Sequence, residues 1–287
     1  IVNDLKAAKD LLAKCDTIKE NKHWMSTENR MLAVNSGTSG ELAKDVFFAY
    51  RGYRMNYYAV TAMLARVYCW AGEYGNAYKE AKEVVDATYS TGSTSTASCF
   101  NFSNSLTTNR KDYNSIIMTF FKSTCYEDYL PYMTKGNDVV LVVNTTNLFG
   151  DEAGADDRNL DLFGDWDGGD IKYSFKYDIK EGTSGTDMIP AIRLSEMYYI
   201  MGEYFAYKDE FSKAGEMLDK VRYARGISTT NLASSIGSLE VFHTHLIKEM
   251  RREFVGEGQM FFQYKRLDQK PKDNVVFVFD KPNNEDI

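Results

Sequence analysis

Residues 60–85 read VTAMLARVYCWAGEYGNAYKEAKEVV, and this stretch decides the fold. Val60, Leu64, Val67 and Ala71 recur at helical spacing, a Gly72-Glu73-Tyr74 turn interrupts them, and Ala77, Ala81, Val84 and Val85 make a second apolar face. Neither short helix buries its stripe alone, so the two must pack as a hairpin. Leu64, Ala65, Tyr68, Gly72, Tyr74, Ala77 and Ala81 also match a tetratricopeptide-type repeat, with small residues where paired helices approach and larger ones in the groove.

The same register returns 137 positions later in Met201, Gly202, Phe205, Phe211, Ala214 and Leu218, with Asp209 in place of the turn glycine. Hairpins this far apart are not a tandem array, so other structure lies between them. The predicted fold is mainly α, with tetratricopeptide-like helical hairpins over about 1–87 and 189–266. A loop-rich, partly β insert fills about 88–188, and the whole of 1–287 is one domain. Within the insert, the Ser/Thr/Asn-rich run 88–109 is predicted as irregular loop, and β-prone runs fall at 115–121, 138–143 and 171–177. Between the last two, residues 150–170 are dense in Asp and Gly around Trp166.

Outward from there, Leu5, Ala8, Leu11, Leu12 and Cys15 make an amphipathic stripe that begins at Ile1 without an N-cap, initiator Met or signal sequence. A polar stretch with Trp24 and a Ser36–Gly40 turn follows it. After the second hairpin, Phe242, Leu246, Met250 and Phe254 repeat every four residues, and 275–279 reads as a short strand or extended tail.

The 287 residues are 44% hydrophobic and 26% charged, an ordinary globular balance, and no run approaches the ~18 apolar residues of a membrane helix. Interspersed charges summing to −7 leave no basic stripe for nucleic acid. Cys15, Cys69, Cys99 and Cys125 lie far apart, without metal-ligand spacing. Aromatics stand out, with 20 Tyr, 17 Phe and 3 Trp against 4 Pro, and favour bulky helical cores or an aromatic binding face.

These residues resemble the SusD/RagB-like outer-membrane lipoproteins of Bacteroidetes. Asp4-Leu5 with Ala8 and Leu11-Leu12 resembles the family's "DL..A..LL" helix, and Ala65–Tyr68 through Gly72-Glu73-Tyr74 to Ala77 resembles its first repeat. Asp156-Asp157-Arg158 and Lys176-Tyr177 are similar to D-x-R and K-Y patterns of its insert. The run Ile189–Tyr198 is similar to "P.iRLaEvyL" at the entry to a repeat helix, with Val221-Arg222 and Arg225-Gly226 like "vR.RaG". Glu249–Phe254 with Glu257-Gly258 resembles "ERRREL..EG", and Pro282 with Glu285 its terminal "P..E". Met260 and Gln263 stand where the family often has Arg and Asp, a paired change that reads as an ion pair lost on both sides. Family members are commonly much longer and begin with a signal peptide and an acylated cysteine, so the chain resembles a member lacking its N-terminal portion.

The resemblance implies a surface-exposed outer-membrane protein, held by a lipid anchor absent from this chain, that binds nutrient beside a SusC-like TonB-dependent transporter. The residues themselves offer no placed catalytic set. Arg193 and Glu196, and Glu249, Arg251, Arg252, Glu253 and Glu257, have the helical spacing of supporting ion pairs. His243 and His245 diverge on a helix and cannot share a metal, and no nucleophile-elbow, P-loop or dinucleotide motif occurs. The acids single out no glycosidase pair, and the Asp165, Asp167 and Asp170 loop lacks EF-hand spacing. Aromatics in the irregular segments are more informative, because sugar rings stack C–H faces on aromatic planes while flanking carboxylates accept their hydroxyls. Trp166 between Asp165 and Asp167 heads these glycan candidates, followed by Trp24 and the Tyr126, Tyr129 and Tyr132 group. Each also reads as a plug of its loop onto the core. The expected function is non-catalytic oligosaccharide capture, with no cofactor or metal. Peptide capture and a helical-repeat protein–protein scaffold are the alternatives.

Overall fold

The computed structural model describes residues 1–32, 50–91, 94–137, 139–166, 168–178, 185–267 and 277–280. The Ser36–Gly40 turn lies outside them. The first stripe forms α1 (Val2–Asp16), which packs Val2 and Leu5 on the core; Leu11, read as part of the apolar face, is exposed instead. Helix α2 (Tyr57–Trp70) starts at buried Asn56, whose side chain accepts from the Ala59 amide at 2.9 Å and satisfies a donor the helix leaves unpaired. It ends at Gly72 with φ +74°, where the Gly72 amide bonds Cys69 and the Glu73 amide reaches back to Tyr68, the Schellman closure that only a left-handed residue permits. Helix α3 (Tyr74–Val85) turns back along α2.

The insert opens with β1 (Thr88–Ser90) and β2 (Thr96–Ser98), paired antiparallel inside the run expected to be irregular; the pairing satisfies backbone groups that a loop would have left to water. Then come β3 (Ile116–Phe121), α4 (Cys125–Met133), β4 (Val140–Asn144), α5 (Thr145–Phe149), α6 (Asp157–Leu162), β5 (Phe163–Asp165) and β6 (Ile171–Ser174). Strand β7 (Met188–Arg193) follows, and it corrects the reading of 189–193 as part of a helical hairpin. It pairs antiparallel with β3, Phe120 opposite Ile189 and Thr119 opposite Pro190, before the chain enters α7 (Leu194–Ala206). Helices α8 (Phe211–Ala224), α9 (Leu239–Glu253) and α10 (Met260–Arg266) and strand β8 (Phe277–Asp280) complete the chain. A four-stranded antiparallel sheet has the order β5-β6-β4-β8.

Helix α3 packs on α7 and α7 on α8, so the two hairpins are neighbours in space although the insert separates them in sequence. Tyr74 stacks on Tyr207 at 3.9 Å and Tyr78 on Tyr204 at 4.4 Å between ring centres, across that junction. Asp209, with φ +59°, makes the turn that Gly72 makes: its amide bonds Ala206, and the Glu210 amide bonds Phe205. Aspartate tolerates this left-handed conformation better than most side chains, which is why the register survives the replacement. Leu64, Met201 and Met197 sit in one apolar cluster, and Val221, Leu218 and Phe254 in a second.

A buried layer of charge joins the insert to these helices. Arg158, Arg193, Arg222, Arg225 and Arg252 are each no more than 2% exposed. Arg158 bonds Asp156, Glu249 and Glu253; Arg225 bonds Glu253 and Asp112; Arg193 and Lys176 share Glu257. Arg252 bonds Glu249, Glu152 and the carbonyls of Leu148 and Phe149. Desolvating so many ions is tolerable only because each meets an opposite charge and further hydrogen bonds. Of the pairs suggested by helical spacing, Glu249–Arg252 forms, whereas Glu253, Glu257 and Arg193 pair across elements and Glu196 pairs with Arg66. Arg251 makes none of these pairs among the described residues. Gln263 accepts from Arg266 and Met260 packs on the second cluster, so the replaced family pair leaves no stranded charge.

Candidate functional site

The site is built on α4, which packs against β4. Cys125, Tyr129 and Met133 recur every four residues and form its inner face, Cys125 and Met133 buried and Tyr129 half-buried. Tyr129 stacks on Tyr177 with ring centres 4.2 Å apart and planes 9° from parallel. The Lys111 ammonium lies 4.9 Å from the Tyr177 ring centre while donating to the carbonyls of Thr186 and Met188. Tyr177 is thus held between Tyr129 of α4 and Lys111. Tyr129, Tyr132, Met133, Leu141, Ser174, Tyr177 and Gly256 enclose a hollow of about 230 Å³, with Tyr132, 46% exposed, at its rim.

Around Tyr177, charge and burial fix the electrostatics. Burial, reinforced by the Glu257 charge, pushes the Tyr177 phenol well above its ordinary value, so it stays neutral. Burial also lowers Lys176 to about 8, a shift that adjacent Glu257 only partly opposes. Glu257 is itself held below the ordinary carboxylate range, because the Arg193 and Lys176 charges together outweigh its desolvation. Its two oxygens are engaged by those partners. Among the described residues no group of three or more His, Cys, Asp or Glu is arranged to hold a metal ion.

The sequence-derived candidates divide over this frame. Tyr129 and Tyr132 come together at the hollow, on a helix rather than in the irregular segment expected for them. Tyr126 is half-buried on the same helix but does not line the hollow. Asp165 and Trp166 close β5: the Trp166 amide bonds the Ile171 carbonyl, the Asp165 carboxylate accepts from Gly168, and Lys135, just past α4, lies 3.9 Å from it. Asp167 lies outside the described residues. Because Ser174 pairs with Phe163, the half-buried Trp166 stands three residues along the strand from the hollow, roughly 10 Å. Trp24 belongs elsewhere, half-buried in a short 3-10 turn beside β1, with its ring 4.4 Å from that of His23.

Sequence reasoning missed two features. Tyr177 was visible as the second half of Lys176-Tyr177 but not as a stacking partner. The second feature is a larger groove of about 660 Å³ walled by Trp70, Phe120 and Phe262, which are 42%, 57% and 55% exposed, with Met63, Val67 and Pro190. Its polar residues have partners: Arg66 bonds Glu196 and the Ala191 carbonyl, Glu257 accepts from Arg193, Lys176 and Gln259, and Gln263 accepts from Arg266. What remains for a ligand is mainly hydrocarbon and aromatic ring. The signal for it was Trp70 itself, at the end of an apolar helix.

Comparison with known proteins places this architecture. The model of the SusD family matches residues 50–277. Among solved structures, a SusD superfamily protein from Bacteroides thetaiotaomicron is 21% identical, with a TM-score of 0.55 over 79% of this chain and 56% of its own. A SusD-like carbohydrate binding protein from Bacteroides vulgatus is 20% identical, with a TM-score of 0.52 over 76% of this chain and 46% of its own. A laminarin binding SusD-like protein is 17% identical, with the same TM-score over 76% of this chain and 56% of its own. The chain spans about half the length of the solved structures it matches. At these identities the likeness is one of fold. No curated protein matches the chain.

Proposed function

Because the chain belongs to the SusD family, we propose that it is a binding protein that captures an oligosaccharide at the tyrosine hollow and passes it on without chemistry. The observation that carries the reading is the aromatic hollow beside the Tyr129–Tyr177 stack, with exposed Tyr132 at its rim to meet the C–H face of a sugar ring. In this reading Trp166 and Asp165, at the neighbouring end of β5, meet a second sugar residue. That one structural neighbour is a carbohydrate binding protein and another binds laminarin supports a glycan ligand. In this proposal the protein sits on the outer-membrane surface through a lipid anchor and delivers its ligand to a SusC-like TonB-dependent transporter. Among the described residues no helix is long and apolar enough to cross a membrane.

The large apolar groove favours a second reading, capture of a peptide through its apolar side chains. Screening the chain against arrayed glycans and peptides separates the two. Retention of glycans, with no reducing sugar released on incubation, is the expected result. Steady release of oligosaccharides would make the protein an enzyme, and retention of peptides alone would shift the ligand to the groove. Co-purification with the transporter tests the partner.

A further inference from the structure

We propose, resting on the capture reading above, that the tyrosine hollow selects a sugar with an apolar edge, namely a 6-deoxyhexose at a chain end or branch. Size comes first. At about 230 Å³ the hollow is smaller than the ~300 to 1,000 Å³ of pockets that enclose a whole ligand, so it seats one pyranose and leaves the rest of the glycan outside, past Tyr132.

The lining then decides which pyranose. Met133, Leu141 and the rings of Tyr129 and Tyr177 form most of the wall, and they belong to or abut one apolar cluster with Cys125 and Ile189. The polar groups do not make up for this. Ser174 is 8% exposed, and its hydroxyl already accepts from the Lys176 amide at 3.4 Å, which leaves its single O–H to offer a ligand. The Tyr177 hydroxyl is shut off from solvent, without a hydrogen-bond partner among the described residues, and is as inaccessible to a ligand as to water. A hexose inserted here would press one of its hydroxyls, most simply the freely rotating 6-hydroxyl, against sulfur and hydrocarbon, where the described residues offer few polar atoms. A buried hydroxyl without a partner is penalised, whereas a methyl group in its place gains from leaving water. The two effects act in the same direction and together discriminate by roughly tenfold or more.

Isothermal titration of the intact chain with matched methyl glycosides tests this. Methyl α-L-fucoside is compared with methyl α-L-galactoside, and methyl α-L-rhamnoside with methyl α-L-mannoside, each pair differing only by the 6-hydroxyl. At least one deoxy member should bind about tenfold tighter than its twin. Leu141→Asn should erase that preference. Should Leu141→Asn fail to fold, Tyr132→Ala, at the exposed rim, must weaken the deoxyhexoside while keeping the wild-type melting temperature. Equal affinity for the twins, or tighter binding of methyl N-acetylhexosaminides, would overturn the inference while leaving glycan capture intact. Failure of the chain to bind any glycan would overturn capture itself.

Discussion

Replacing Glu253 by Gln asks whether the buried charge layer holds the insert to the last long helix. Glu253 lies in the final turn of α9, 4% exposed, and accepts from Arg158 Nη1 at 3.2 Å and from Arg225 Nε and Nη2 at 3.1 and 2.5 Å. Glutamine keeps the shape but removes the charge and turns an amide N–H group toward guanidinium donors, leaving two buried cations short of one negative partner. Breaking one side of a buried pair costs about 3 to 5 kcal/mol. At about 2 °C per kcal/mol for a chain this long, the melting temperature should fall by about 6 to 10 °C. Urea unfolding followed by circular dichroism measures the loss, with an unchanged slope showing that the same structure unfolds. The exposed Lys82–Asp86 pair, with side chains 47% and 58% accessible, supplies the control: Lys82→Ala should leave the transition where it is. A loss below about 1 kcal/mol in Glu253→Gln would refute the reasoning, because the site would then be solvated enough to do without its charge.

Other consequences follow from the same structure. Glu152 is lowered to about 2, since Arg252, Arg222 and Lys248 together outweigh its desolvation, and Glu253 and Glu257 are lowered for the same reason. Depressed carboxylates contribute stability that is complete above their unfolded value near 4.5 and is lost as pH falls toward 2, so melting temperature should drop through that window; a flat profile from pH 5 to 2 would contradict the assignment. Leu64, fully buried between α2 and its neighbours, should cost about 2 to 5 kcal/mol when cut to Ala, and a variant that melts like wild type would mean the hairpin is misassigned. Trp166→Ala should weaken oligosaccharide binding with little change in melting temperature, whereas lost stability would identify the ring as a plug for its turn.

Much of the architecture was legible because helical period is a local property. Val60 to Val85 announces two stripes and a turn, and the match at Met201 to Leu218 survives even with Asp209 in the glycine place. Strand β7 was not legible: Ile189–Arg193 runs without a break into α7, and only its pairing with β3 sets it apart. The Thr88–Asn109 run hid a short strand pair for the same reason, since strands of three residues carry no periodicity. At the site, Tyr129 and Tyr132 stood out as aromatics but not as neighbours on one helix, which carries Pro131 between them. Tyr177 and Trp70 were missed because stacking and exposure depend on which elements meet, and sequence spacing does not record that.

The central claim is that this SusD-family chain holds a sugar at the tyrosine hollow, and the most direct measurement is the oligosaccharide affinity of wild type against Tyr132→Ala. Tyr132 is exposed and outside the ion layer, so its loss should spare the fold while removing one wall of the hollow. The account predicts an unchanged melting temperature and binding weaker by about 1 to 3 kcal/mol by titration calorimetry. An oligosaccharide bound equally well by both proteins would contradict it and place the ligand elsewhere on the molecule.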